Sequence, residues 1–347
     1  MSESKRTHEM LKQMQELPLE MKIQLTKSRI REWVREFGEN GVYISFSGGK
    51  DSTVLLHLVR EMYPNVEAVF CNTGLEFPEI QQFAKSFENV TVIRPEKSFI
   101  DVIKEYGYPM ISKEVSEVIY EVKQGSKYSY SKCSYRLKKL NGTLLNKNGN
   151  KSRYCCEKYK PIYDWCDFEI SNRCCKYIKK QPLQKFERET GKKRFTAEIA
   201  DESFLREQTW YKYGCNAFNS KQPKSKPMSF WTENDVCMYV CMYNIPICSV
   251  YGEVIKIGEN KYTTTKAKRT GCIFCGYGCH HDDRFLRLKE THPRQYDYCI
   301  NGGEFDENGI WKPNKLGLGM GHVFDELNYI YEKELKSGEI KPFIKYK

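Results

Sequence analysis

No stretch of this chain approaches the roughly 18 consecutive apolar residues that a membrane-spanning helix requires, which excludes a span of that kind. The opening Met-Ser-Glu-Ser-Lys-Arg runs into polar amphipathic sequence and lacks the apolar core and cleavage site of a secretory signal. The expectation is a cytoplasmic protein with no membrane partner. Internal repeats are absent, and so is the Gly-x-x-x-x-Gly-Lys-Ser/Thr loop of the common nucleoside triphosphatases. Acidic residues are missing from Val122 to Cys156, where Lys123, Lys127, Lys132, Arg136, Lys138, Lys139, Lys147, Lys151 and Arg153 alternate with Tyr128, Tyr130, Tyr135 and Tyr154. Phosphate pairing and base stacking would suit such a stretch to single-stranded nucleic acid; a solvated insertion has the same composition. The net charge of +11 permits either.

Cysteine is abundant, with 15 residues, but its pattern is not that of a small disulfide-stapled domain. The thiols include two adjacent pairs, Cys155-Cys156 and Cys174-Cys175, and a Cys272-x-x-Cys275 followed by Cys279. Clustered thiols without an export signal point to metal ligation, and both zinc and an iron–sulfur cluster accept four thiolates. No histidine reads as catalytic; His57 falls within a helical stretch.

Secondary-structure periodicity predicts an α/β fold. Apolar residues at near-helical spacing predict a helix over 19–37. The run Val42-Tyr43-Ile44-Ser45-Phe46 predicts a strand, a glycine turn follows, and Thr53 to Val59 predicts a helix. Alternation continues with strands at Val66–Cys71 and Val90–Ile93 and helices over 78–87 and 98–106, and a later strand is expected at Arg194–Ala200. Strands alternating with helices imply a doubly wound, mostly parallel sheet. Further on, Thr232 and Asp235 stand at capping-box spacing, Val254 to Thr265 predicts a hairpin, one helix is expected over 282–298, and another over 324–335. The expected organisation is an N-terminal helical segment (1–40), a nucleotide-binding α/β domain (41–226) with a basic insertion at about 113–193, and a helical, metal-binding C-terminal region (227–347).

The chemistry concentrates first at Ser47-Gly48-Gly49-Lys50-Asp51-Ser52. Amides of a glycine turn that runs into a helix N-terminus present donors to phosphate oxygens, the serines add hydroxyls, and Lys50 supplies a positive charge. With Ser45 and Phe46 before it, this loop resembles the pyrophosphate-binding loop of the phosphoadenosine phosphosulfate (PAPS) reductase and ATP pyrophosphatase superfamily. Asn72-Thr73-Gly74-Leu75-Glu76-Phe77-Pro78-Glu79 is similar to that family's Asp-Thr-Gly…Phe-Pro-Glu element, with Asn for Asp. Ile199-Ala200-Asp201-Glu202-Ser203-Phe204-Leu205-Arg206 resembles its Arg-Ala-Asp-Glu-Ser…Arg element without the first Arg. Pro227 to Val236, Tyr239 and Tyr251-Gly252 match a further pattern. The resemblance implies an adenine nucleotide alpha-hydrolase-like fold. It also implies a nucleotide, ATP or a sulfonucleotide (APS or PAPS) with Mg²⁺, held by Ser45, Ser47, Gly48, Gly49, Lys50, Asp51, Ser52, Asn72, Thr73, Gly74 and Arg206. Lys50 and Asp51 are the candidate catalytic residues.

Cys174-Cys175 through Pro182-Leu183 resembles the Cys-Cys signature of adenylylsulfate reductases, with Ile178 where Arg is expected. In that group the pair joins a later Cys-x-x-Cys on a [4Fe–4S] cluster. The implied ligands are therefore Cys174, Cys175, Cys272 and Cys275, with Cys155, Cys156 or Cys279 as replacements and a structural zinc as the alternative metal. Two reactions fit the resemblance. One is ATP pyrophosphatase chemistry, giving AMP and pyrophosphate, coupled to sulfur transfer onto a nucleic acid. The other is sulfonucleotide reduction to sulfite. The complete loop with its lysine favours the first. The family reductases' Glu-Cys-Gly-Leu-His segment does not occur here, and no cysteine follows Cys299. Either reaction implies a thiol or persulfide donor. A non-catalytic nucleotide-binding partner protein is a third possibility, and oligomeric state is not indicated.

Overall fold

The computed structural model describes residues 6–125, 130–335 and 342–347. Strands β1 (Val42–Phe46), β2 (Ala68–Cys71), β3 (Val90–Ile93), β4 (Met110–Ile111), β5 (Lys193–Phe195), β6 (Asn216–Ala217), β7 (Lys224–Ser225), β8 (Val254–Gly258), β9 (Lys261–Thr264) and β10 (Gly276–Tyr277) follow one another along the chain. Two compact units emerge, neither of them one continuous segment. The first comprises residues 1–95 and 181–272, the second 96–180 and 273–347.

The first unit carries a six-stranded sheet in the order β3-β2-β1-β5-β7-β6. Every pairing is parallel except that of the edge strand β6 with β7. The fold is therefore the expected α/β class with a mostly parallel sheet. Parallel strands buried by helices read as unbroken apolar runs, as β1 does: Val42, Tyr43, Ile44 and Phe46 are all buried. The helix Leu19–Phe37 buries Ile23, Ile30, Trp33 and Val34 on the core, with Trp33 edge-on to Phe37 and tilted against Phe195. From β1 the chain moves outward through β2 to β3, then returns on the other side of β1 as β5. That reversal opens a crevice at the carboxyl ends of β1 and β5, where ligands of open α/β sheets bind.

The division differs from the linear order expected of the sequence. Residues 227–272 belong with the sheet, because Asp235 of the predicted capping box forms a buried 2.7 Å ion pair with Lys22, and the Trp231 indole donates to Thr26 Oγ1 at 2.8 Å. The inserted body starts at Glu96, before the basic stretch, and is completed by residues 273–347. The single helix expected over 282–298 is two, Arg284–Thr291 and Pro293–Ile300, since Pro293 has no N–H with which to continue the first. Among the described residues no helix is long and apolar enough to cross a membrane.

Candidate functional site

β1 ends at Phe46 and the helix Lys50–Met62 begins four residues later, so Ser47, Gly48 and Gly49 must turn the chain within three residues. Gly48 does so at φ +71°, and a Cβ there would stand 3.0 Å from the Ile80 side chain; no other residue suits the position. Serine hydroxyls stiffen the turn. The Ser47 and Ser52 hydroxyls are 3.0 Å apart, Ser52 Oγ donates to the Gly49 carbonyl at 2.8 Å, and the Gly49 N–H donates to Ser47 Oγ at 3.3 Å. Amides of the first helical turn have no partner within the helix and face the crevice end of β1.

Lys50 is 2% exposed, an unusual place for an ammonium group. Its two carboxylate neighbours, Asp51 at 3.5 Å and Glu233 at 3.6 Å, lie beyond hydrogen-bond length, and the Tyr251 ring centroid is 5.8 Å away. Charge is thus held beside the loop without being closely neutralised. Burial pushes the Tyr251 phenol up to about 12, and its hydroxyl is 3.0 Å from Thr270 Oγ1.

Asn72, Thr73 and Gly74 follow β2, the neighbour of β1. Asn72 Oδ1 accepts from the Gly74 N–H at 3.1 Å, a role an Asp would fill equally, while Asn72 Nδ2 donates to Gln81 Oε1 at 3.3 Å, which an Asp could not do. Glu76 takes both the Thr73 N–H and hydroxyl, at 3.0 and 2.7 Å. Ser45, on β1, pairs in register with Val69.

Beyond β5 lies a charged group that sequence reasoning missed. Burial favours the neutral form of Glu198, but Lys224 at 3.2 Å, Lys226 at 2.7 Å and the more distant Arg206 outweigh it and hold the carboxyl down at about 2. Arg206 pairs with Glu202, which Arg269 approaches at 3.8 Å. Burial lowers the Arg206 pKa, and Asp51 is among the charges acting against that. The predicted nucleotide residues therefore share one unit and one end of its sheet. No local signal marks Lys224 or Lys226, since their partner is 26 or more residues away.

The predicted thiols lie chiefly in the second unit. Cys174 and Cys175 lead into a short π-helix, Cys175–Lys180, and their sulfurs are 4.0 Å apart. Tyr277 Oη lies 4.0 Å from Cys174 Sγ; burial raises the phenol's pKa, and the thiols of Cys174, Cys175 and Cys275 raise it further. A hydrogen bond from Cys174, outweighing burial, together with Lys113, Lys179 and Lys180, brings Cys175 down to about 6, into the thiolate range at neutral pH. Cys279 differs: burial, only partly offset by Arg284, pushes it up to about 12. Cys272 is the last residue of the first unit, and its place among the expected ligands is what the family resemblance implies. Among the described residues no three of His, Cys, Asp and Glu are grouped tightly enough to hold a single metal ion. The soft sulfurs of Cys174 and Cys175, 4.0 Å apart, with Cys275 two residues from Tyr277, are donors of the kind that thiolate-ligated metal centres use.

The acid-free stretch finds its counter-charges in the preceding helix, Lys113–Lys123. Lys132 and Arg136 both reach Glu121 at 2.7 Å, Arg136 reaches Glu117 at 3.1 Å, and Lys139 reaches Glu114 at 2.6 Å. Lys127 and Tyr128 lie outside the described residues. Lys132, Arg136 and Lys139 thus tie two helices together. His57, as expected, packs within its helix and is 2.8 Å from the Tyr239 hydroxyl.

Sequence comparison agrees with this arrangement. The profile of the phosphoadenosine phosphosulfate reductase domain matches residues 41–114 and 120–281, more than half of the chain. An uncharacterized protein of Methanocaldococcus jannaschii is 24% identical over 307 residues, covering 84% of this chain and 55% of its own length. The phosphoadenosine 5'-phosphosulfate reductase of Xylella fastidiosa is 24% identical over 157 residues, 40% of this chain and 64% of that protein. This chain therefore spans between half and two thirds of these relatives. Among solved structures, a Candida auris phosphoadenylyl-sulfate reductase superposes at a TM-score of 0.36 and 15% identity, over 73% of this chain and 96% of that one. The U34-tRNA thiolase NcsA of Methanococcus maripaludis, with its [4Fe–4S] cluster, gives 0.29 and 15% over 80% and 79%. The Ser47–Ser52 loop, the Asn-Thr-Gly turn and the profile match together place the chain in the phosphoadenosine phosphosulfate reductase domain family of the adenine nucleotide alpha-hydrolase superfamily.

Proposed function

We propose that this protein binds ATP at the Ser47–Ser52 loop, where an oxygen of the acceptor attacks the α-phosphorus and pyrophosphate leaves, and that a sulfur nucleophile then displaces AMP from the adenylated acceptor. The observation that carries this is Lys50: a buried ammonium at a helix N-terminus, its carboxylate neighbours no nearer than 3.5 Å. Such a cation favours an incoming polyphosphate and the charge that grows on pyrophosphate as it leaves. Loop amides and the Ser47 and Ser52 hydroxyls hold the β- and γ-phosphates, and Asp51 is the nearest carboxylate for a Mg²⁺ carried in by the nucleotide. Asn72 to Gly74 and Arg206 position the adenosine and the α-phosphate. Catalysis is charge stabilisation and alignment, with no protein nucleophile needed at phosphorus.

Cys174, Cys175, Cys272 and Cys275 are the proposed thiolate ligands of a [4Fe–4S] cluster, which would supply electrons or a site for sulfur. The acceptor class we favour is nucleic acid, because +11 of net charge leaves cations beyond those paired in the insertion. A cytoplasmic location goes with that acceptor.

A second reading, sulfonucleotide reduction by a cysteine outside the four proposed ligands, is favoured by the profile match over residues 41–114 and 120–281. A thiolate attacking the sulfur of APS or PAPS forms an S–S bond and releases AMP or its 3'-phosphorylated form, and a donor thiol then frees sulfite. The products separate the two: ATP, Mg²⁺ and acceptor give AMP and pyrophosphate under the first, whereas APS or PAPS gives sulfite under the second. Release of ADP from ATP contradicts the first.

A further inference from the structure

We propose that Tyr277 tunes the thiolate-ligated cluster: its hydroxyl donates a hydrogen bond to the Cys174 sulfur and raises the reduction potential of the group that sulfur binds. The inference rests on the cluster reading above.

Tyr277 is fixed by its backbone. It lies on β10, paired in parallel with β4 so that Gly276 faces Met110 and Tyr277 faces Ile111. A Cβ on Gly276 would collide with the Met110 sulfur, so the two strands meet as closely as they do only because this residue is glycine. The next residue locks the register, the Gly278 N–H donating to the Ile111 carbonyl at 2.8 Å. The ring is thereby delivered among the thiols, with its oxygen 4.0 Å from Cys174 Sγ.

The phenol has one proton and two acceptors in reach: the Ser171 carbonyl at 3.3 Å and the Cys174 sulfur. With a neutral thiol the carbonyl is the better acceptor. A ligating sulfur is a thiolate, and hydrogen bonds to an ionised acceptor are roughly twice as strong as neutral ones. Rotation about the C–O bond, with a closing of a few tenths of an ångström, is all the exchange requires. No proton is transferred; the hydrogen stays on oxygen. A donor to a cluster thiolate stabilises the reduced, more negative state, because hydrogen bonds to sulfur are among the terms that set such potentials.

The test compares the full-length wild type with Tyr277→Phe, both reconstituted anaerobically with iron and sulfide. Each is titrated with dithionite, which gives one electron per cluster, and followed by electron paramagnetic resonance. Equal iron and sulfide contents are expected, with the variant's cluster about tenfold harder to reduce, a midpoint lower by about 59 mV for one electron. Equal midpoints at equal loading would overturn the tyrosine's role and leave the cluster reading standing. A wild type that takes up no iron would overturn the cluster reading itself. Should the Phe variant not fold or load, the wild type decides alone: its Fe–S(Cys) Raman bands are expected to shift between H₂O and D₂O, and bands unchanged by deuterium contradict the proposal.

Discussion

The Tyr251 hydroxyl lies 3.2 Å from the point where a Cβ on Gly49 would sit. The Ser47–Ser52 loop is therefore closed on one side by a phenol that is itself anchored, 3.0 Å from Thr270 Oγ1. A methyl group at Gly49 would press on both Tyr251 and Ser47 Oγ, also at 3.2 Å.

Gly49→Ala is expected to leave the fold nearly intact, because φ at this residue is −78°, a value alanine adopts freely. Affinity for ATP should fall about tenfold, equivalent to 1.4 kcal/mol, as the loop amides shift from their places. Gly48→Ala should differ, with φ +71° and the Ile80 contact together costing roughly 1–3 kcal/mol of stability. Calorimetric titration and urea melts of both variants check the contrast; equal loss of stability would contradict it.

Glu198 offers a pH signature. Its carboxyl is held at about 2 against an ordinary 4.5, so the stabilisation is complete above 4.5 and is lost as pH falls from 4.5 through 2. Glu198→Gln should be less stable by on the order of 2 kcal/mol at pH 7. In urea melts the gap between wild type and variant should narrow steadily below pH 4.5. A gap independent of pH would show that Lys224 and Lys226 do not set the carboxyl's state.

The buried pair of Lys22 and Asp235 makes a purely structural prediction. Asp235→Ala removes both a capping box and the partner of a lysine that is 2% exposed, and should cost about 3–5 kcal/mol in a urea melt. A loss below 1 kcal/mol would mean that the lysine finds another acceptor.

For the thiols, protein isolated without oxygen is expected to be brown, with broad absorbance at roughly 400 nm. Cys174→Ser, Cys175→Ser and Cys275→Ser should each reduce bound iron, whereas Cys279→Ser, at a thiol that burial holds protonated, should not. Colourless protein with stoichiometric zinc would contradict the cluster.

Much of the nucleotide unit was legible in the sequence because its signals are local. Val42 to Phe46 is an unbroken apolar run, Gly48 and Gly49 turn it, and the helix from Lys50 follows at once. Asn72 to Gly74 sits where the next parallel strand must end. Contacts far apart along the chain were not legible. The strand expected at Arg194–Ala200 stops at Phe195, since its ladder extends only as far as Lys193 to Phe195 on β1 and Arg194 and Phe195 on β7. The basic run reads as an open charged surface until Glu114, Glu117 and Glu121, on a separate helix, are seen to meet it. Tyr277 stands two residues beyond Cys275, but nothing in the sequence brings it to Cys174, 103 residues away.

The most direct measurement is the dissociation constant of ATP with Mg²⁺ for wild type and Lys50→Ala. Lys50 contributes to phosphate binding in this account, so the wild type should bind ATP and the variant should bind it at least tenfold more weakly, with an unchanged melting temperature. Equal affinity in the two proteins would show that the buried lysine does not face the phosphates, and the phosphate loop would no longer be the nucleotide site.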